Sequence, residues 1–165
     1  MYPLTPIYIH PQEKAALFQP EENLSSLVGN PFSLPPDTIV RTIENNKDLL
    51  LPSSSSSFAF KFHCFFSPGH TEGSTIYEFS ASKPGQKEQT YLATGDFLFE
   101  GTIGRTDLKG GSLEQMQKSI LAFKKKFFPR RDETIYIIPG HASSPSNPIT
   151  TLHQEMQKNP YLYRE

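Results

Sequence analysis

His70, Asp96 and His141 are the residues of this chain whose types and settings could support metal or acid–base chemistry. Each histidine closes a Pro-Gly-His tripeptide, and Asp96 follows Gly95. Pro and Gly set tight turns, so each of the three is expected on a rigid bend where a strand ends. Imidazole and carboxylate together form the ligand set of zinc or a related divalent metal. An imidazole in such a place could also act as a general base. Any one of these stretches alone reads as a turn. Three similar strand endings in one chain favour a shared site at one rim of a sheet.

Strands must then lead into all three. In "FAFKFHCFF" (58–66), Phe58, Phe60, Phe62, Cys64 and Phe66 alternate with Lys61 and His63, the period of a strand with two unlike faces. It runs directly into "SPGH". Cys64 reads as a core residue on the Phe-rich face, since a buried thiol behaves as a small hydrophobe. "STIYEFS" (74–80) and "TYLATGD" (90–96) read as a strand pair across a polar loop, and "TIYIIPGH" (134–141) as a further strand. "PIYIH" (6–10), "TIVRTI" (38–43) and "DLLL" (48–51) are shorter strand candidates, with polyserine 53–57 as a loop between strands. Pro11 suits a first helical turn over 11–18, and 19–37 reads as a loop with one helical turn near Leu24–Val28.

The strongest helix signal follows the glycine-punctuated loop "GTIGRTDLKGG" (101–111). Ser112 and Gln115 have capping-box spacing, and Leu113, Met116, Ile120, Phe123 and Phe127 repeat at helical intervals. Lys124, Lys125 and Lys126 suit the negative end of the helix dipole as a solvated face, and Pro129 stops the helix. A second helix is expected from Thr151, capped through Gln154 and ended at Asn159-Pro160. Tyr161 and Tyr163 beyond it are expected to pack. The loop 101–111 lacks phosphate-loop spacing, and Arg105 and Asp107 within it read as stabilising the loop rather than contacting an anion.

The 165 residues suffice for one domain with a core. A net charge of −1 gives no basis for expecting nucleic acid or an anionic membrane as partner. The single cysteine excludes an intrachain disulfide and suits a reducing, cytoplasmic setting. No apolar run reaches membrane-spanning length, and the N-terminus lacks the features of a secretory signal.

"SPGHTEGSTIY", "YLATGDFLFEGTIGRTDLKGGS", "IYIIPGH" and "NPYL" stand here in the order and spacing of the metallo-β-lactamase superfamily. More closely, they resemble its glyoxalase II-like hydrolases, relatives of hydroxyacylglutathione hydrolase. "PIYIHPQE" is similar to the family's segment after its main metal motif. The resemblance covers nearly the whole chain and is most specific over 95–111. It implies an α/β fold, the αββα sandwich. It also implies a pair of zinc ions, or iron or manganese, and a small ester or thioester substrate such as S-lactoylglutathione. Metal-bound hydroxide would attack the carbonyl. By position, His70 resembles the third histidine ligand of the first metal, Asp96 the bridging carboxylate that makes it catalytic, and His141 the histidine of the second metal.

One departure is large. The family's T-H-x-H-x-D-H motif supplies four more ligands and has no counterpart here. His10, His63 and His153 stand in no H-x-H pair. The chain reads as one domain, 1–165, that begins after the motif and lacks the family's first strands. Each metal would keep one histidine and share one aspartate, fewer than the three or four protein ligands zinc ordinarily takes. No helical domain like that of full glyoxalase II enzymes is expected after "NPYLYRE". Three readings stay open. The chain is part of an active hydrolase whose missing segment lies upstream; or it is a non-catalytic binding or structural module; or it completes its site in a homo-oligomer.

Overall fold

A computed structural model describes residues 5–52, 59–82, 85–142 and 149–163. A six-stranded sheet dominates it. The strands are β3 (Asp48–Pro52), β4 (Ala59–Phe66), β5 (Thr75–Ala81), β6 (Gln89–Gly95), β9 (Ile135–Pro139) and β10 (Thr150–Thr151). Their spatial order is β10-β9-β6-β5-β4-β3. All neighbours pair antiparallel except β6 and β9, which run parallel with Gly95 opposite Pro139. Two short pairs stand apart: β1 (Ile7–Ile9) with β2 (Val40–Thr42), parallel, and β7 (Leu98–Phe99) with β8 (Thr102–Ile103), antiparallel.

The topology explains why one rim can carry a site. Strands β4 and β6 both run antiparallel to β5, so they share a direction, and β9 runs parallel to β6. The C-terminal ends of β4, β6 and β9 therefore lie at the same edge of the sheet. These are the ends that lead into His70, Asp96 and His141.

Helix α1 (Leu113–Phe127) begins at the expected cap, but only half of the expected capping box forms, because the Ser112 N–H donates to the Gly69 carbonyl at 2.8 Å. The Ser112 side chain accepts a hydrogen bond from the Gln115 N–H at 3.3 Å. Met116, Ile120, Phe123 and Phe127 are buried, whereas Leu113, at the outer end of the expected apolar stripe, is exposed. The buried residues pack with Ile76, Leu92, Ile135 and Ile137 from the sheet and with Leu152 and Leu162 from the C-terminal helices α2 (Leu152–Lys158) and α3 (Pro160–Tyr163). All three helices thus bear on one face of the sheet. The expected capping box at Thr151 and Gln154 is present. Asn159-Pro160 ends α2, but a further turn follows. Its Leu162 enters the core while Tyr161 and Tyr163 remain exposed, contrary to the packing expected of them. One turn of helix can aim only one such residue inward.

Strand β4 separates its two faces as the alternation predicts, but the Phe-rich face is not the one under the helices. His63 opposes Glu78, which in turn opposes Leu92, and Phe65 opposes Ile76. The helix-covered face therefore carries Lys61, His63 and Phe65. The opposite face holds a ladder of rings, Phe62–Phe79–Tyr91–Tyr136, with successive centroids 5.3, 5.4 and 5.3 Å apart. Cys64 lies on this face and is buried, as expected, and burial pushes its thiol pKa up. Phe60, near the outer end of the same face, is exposed.

Other expectations change in detail. The segment 11–18 forms two 3-10 turns, Pro11–Glu13 and Ala15–Leu17, rather than an α-helix. The stretch near Leu24–Val28 makes turns only. "TIVRTI" and "DLLL" contribute strands to different sheets. The polyserine run and Phe58 lie outside the described residues. Among the described residues no helix is long and apolar enough to cross a membrane.

Candidate metal centre

Three loops at the shared rim bring the sequence-predicted residues together. Nε2 of His70 and Nε2 of His141 each lie 3.3 Å from the same oxygen, Oδ2 of Asp96. Asp96 is the common point of two contacts. His70 is the more enclosed imidazole, with 18% of its side chain exposed against 77% for His141. The site is therefore walled on the His70 side and open to solvent on the His141 side.

His70 is held by its other nitrogen. Nδ1 lies 2.8 Å from the Arg105 carbonyl oxygen. A carbonyl can only accept, so Nδ1 carries the proton and donates it. In a neutral imidazole Nε2 then presents a lone pair to a carboxylate oxygen. Two acceptors at 3.3 Å repel unless a cation joins them, either a second ring proton or a metal ion. An Nδ1–H bonded to a backbone carbonyl is also how metal-ligating histidines are ordinarily oriented.

The spacing fits a metal as well. Two atoms bound to one tetrahedral zinc at about 2.0–2.1 Å lie about 3.3–3.4 Å apart. Both imidazole–carboxylate contacts have this separation. The donors fit a divalent metal in kind, orientation and spacing, but not in number. Among the described residues no group of three or more His, Cys, Asp and Glu is arranged to hold one ion. Each imidazole meets Asp96 separately, so each prospective ion has two protein ligands.

Two glycines make this approach possible. A Cβ on Gly140 would stand 2.3 Å from Asp96 Oδ1, and one on Gly104 would stand 1.9 Å from the Asp96 carbonyl oxygen and 3.1 Å from His70 Nδ1. The Gly140 N–H also donates to the Gly95 carbonyl at 2.8 Å, fastening the β9 exit to the β6 exit. Sequence reasoning noted these glycines as punctuation and missed that Gly140 clears space for the Asp96 carboxylate and Gly104 for its backbone carbonyl. The Pro-Gly-His pattern held that signal at Gly140.

A second support was also missed. Glu13, in the turn after β1, accepts from the Gly73 N–H at 2.6 Å and so braces the loop that carries His70. His10 is buried, stacks on Phe66 with centroids 4.6 Å apart, and reaches Asn45 through Nε2 at 2.7 Å. Its partners are structural, in keeping with its exclusion from the ligand set. His63 pairs with Asp48, away from the rim, and His153 lies on α2 beside Gln157.

Arg105 and Asp107 pair with each other, at 2.7 and 2.8 Å, on the exposed surface. The Arg105 guanidinium holds the Asp107 carboxyl down at about 2. Their side chains tie the loop, as read from the sequence. It is the Arg105 backbone that serves the site.

The same arrangement of strands and loops occurs in known proteins. No protein-family model matches the chain. It is 30% identical over 159 residues to the probable metallo-hydrolase YqgX of Bacillus subtilis, covering 95% of this chain and 64% of that protein. It is 38% identical over 103 residues to the hydroxyacylglutathione hydrolase GloC of Haemophilus influenzae, covering 62% and 41%. Among solved structures it is similar to the BLEG-1 B3 metallo-β-lactamase, with TM-score 0.67, 33% identity and coverage of 96% of this chain and 66% of that one. It is also similar to TTHA1623 in a di-iron-bound form, with TM-score 0.64, 26% identity and coverage of 95% and 65%. The chain belongs to the metallo-β-lactamase superfamily and has its mixed α/β fold. It spans less than two thirds of the length of these relatives.

Proposed function

We propose that this chain carries part of the catalytic centre of a metal-dependent hydrolase acting on a small ester or thioester, in the manner of the glyoxalase II-like branch. The observation behind this reading is the single carboxylate oxygen placed 3.3 Å from two imidazole nitrogens. His70 and Asp96 would hold one divalent ion, and Asp96 and His141 a second. The metal could be zinc, iron or manganese; the di-iron-bound neighbour makes iron a concrete candidate. Bound divalent metal supplies Lewis-acid polarisation of a carbonyl and activation of water near neutral pH.

The chain's own residues supply position. The Arg105 carbonyl fixes the His70 tautomer, so that Nε2 stays available as a ligand. Gly104 and Gly140 let the Asp96 backbone and carboxylate sit close against neighbouring loops, which limits their freedom to swing. In the hydrolysis, water oxygen bonds to the acyl carbon as the carbon–sulfur or carbon–oxygen bond breaks, and a water proton passes to the leaving group. Further ligands would have to come from outside His70, Asp96 and His141, either from additional chain or from a second copy in a homo-oligomer. The one cysteine, buried and unpaired, supports a cytoplasmic setting.

A second reading, a non-catalytic binding or structural module, is favoured by one observation: no described group of three ligands surrounds one ion. Zinc, iron and manganese titrations of the chain by calorimetry, alongside Asp96→Asn, separate the two. Binding that needs the Asp96 carboxylate, with S-lactoylglutathione hydrolysis dependent on added metal, supports the hydrolase. Absence of both from the chain, and from a longer form carrying H-x-H-x-D-H, favours the module. With two protein ligands per ion, the chain alone is expected to bind zinc weakly and to turn over slowly.

A further inference from the structure

A cleft of about 460 Å³ opens beside His70, between the loop over residues 18–34 and the loop over 104–111. That volume is in the range of small-molecule sites. Its walls include Ile9, Leu17, Leu24, Phe32 and Leu108, and His70 itself lines it. Apart from His70, none of these side chains has a part in the metal centre.

The outer wall is built with care and under strain. Leu24 has φ 63°, a left-handed conformation that a leucine rarely adopts. Strain of this kind persists only where the surroundings fix it, and it clusters at ligand clamps. Here Asn23 does the fixing. Its Nδ2 donates to the Ala16 carbonyl at 2.8 Å and the Phe32 carbonyl at 2.9 Å, and its Oδ1 accepts from the Ser25 N–H at 3.0 Å. Ser25 Oγ accepts from the Phe32 N–H at 2.8 Å. The Leu34 N–H donates to the Leu17 carbonyl at 2.9 Å and closes the base of the loop. An ion pair between Lys109 and Glu22 joins the two loops across the cleft.

We propose that this cleft receives an unbranched apolar acyl group of the substrate, the group attached to the carbonyl under attack at the His70–Asp96–His141 centre. The inference rests on the hydrolase reading. Orientation follows from the enclosure of the site. The apolar cleft lies on the His70 side, while His141 is 77% exposed. An apolar acyl chain gains by leaving water on the first side, and a polar leaving group stays solvated on the second.

The test uses acetyl-, butanoyl- and hexanoyl-N-acetylcysteamine as probes on the whole chain, treated with EDTA so that no turnover intervenes. Binding is read from backbone amide shifts. Affinity should rise by up to about fourfold per added methylene, with shifts at Leu24, Thr71 and Leu108. Leu24→Asn should flatten that series while leaving the unfolding midpoint unchanged or higher, because Asn tolerates the left-handed backbone better than Leu. Affinity independent of chain length, shifts confined to other surfaces, or a full length dependence in Leu24→Asn would overturn the proposal. Metal added afterwards separates the two readings. Length-dependent binding without metal-dependent hydrolysis, in the chain and in a longer form carrying H-x-H-x-D-H, leaves the cleft standing and removes the hydrolase. Hydrolysis equal across the series leaves the hydrolase and removes the cleft's role.

Discussion

Replacing Gly140 with alanine should disable the candidate metal centre without directly touching either histidine. The added Cβ would stand 2.3 Å from Asp96 Oδ1, 3.1 Å from the Gly95 carbonyl carbon and 3.3 Å from its Cα. Ordinary contact begins near 3.4 Å, so the carboxylate must move by about 1 Å. Gly140 cannot simply retreat, because its N–H is tied to the Gly95 carbonyl at 2.8 Å. Its φ also lies outside the left-handed region, so alanine adds no intrinsic backbone strain. The cost is steric: about 1–3 kcal/mol for overpacking where little can give, and at the lower end of that range if Asp96 rotates away. Rotation carries Oδ2 out of its joint position at 3.3 Å from both imidazoles. Disturbing the support of a ligand typically lowers metal affinity by about 10–100-fold. Calorimetric metal titration, paired with urea unfolding to record the stability change, measures both effects. A variant with wild-type stability and metal affinity within twofold of wild type, where Asp96→Asn binds far more weakly, would show that the glycine does not set the carboxylate's position.

Other expectations follow from burial. Phe123 is fully buried and meets Phe97 and Phe127 with centroids at 5.6 and 4.8 Å. Phe123→Ala should therefore cost about 3–5 kcal/mol, or about 9–14 °C in Tm for a chain of 165 residues, read by calorimetry. Glu155 is buried and accepts from the Gly101 N–H at 2.8 Å, the Thr150 hydroxyl at 2.8 Å and the Asn159 amide at 3.0 Å. Its removal in Glu155→Ala takes the acceptor from the Gly101 N–H, while the Thr150 hydroxyl keeps Gln154 and the Asn159 amide keeps the Phe99 and Thr102 carbonyls; the change should cost about 1–3 kcal/mol by denaturant unfolding. Burial pushes the Tyr77 phenol up to about 12, with Cys64 adding a smaller effect. The unfolded phenol ionises near 10, so Tyr77's contribution is complete below about pH 10 and is lost as pH rises toward 12. Unfolding free energies measured across that window should fall less steeply in Tyr77→Phe than in the wild type.

Much of the scaffold was legible in the sequence because its signals are local. The alternation in 59–66, the helical spacing from Met116 to Phe127 and the caps at Ser112 and Thr151 each depend on residues a few positions apart. So do the turns that end β4, β6 and β9. Residue type and turn chemistry were enough to single out His70, Asp96 and His141 as a possible set.

Which face of β4 meets the helices was decided elsewhere. Both faces carry phenylalanine, and the choice falls to the register that places Phe65 opposite Ile76 and His63 opposite Glu78. The same holds for Tyr161 and Tyr163, which stay exposed while Leu162 is drawn inward. The site's supports are further removed still. Arg105 holds a histidine 35 residues away through its backbone carbonyl, and Glu13 braces a loop 60 residues on. A carbonyl has no residue type to read. The value of Gly140 and Gly104 is the space they leave for Asp96, and that space exists only once three strand ends have met at one rim.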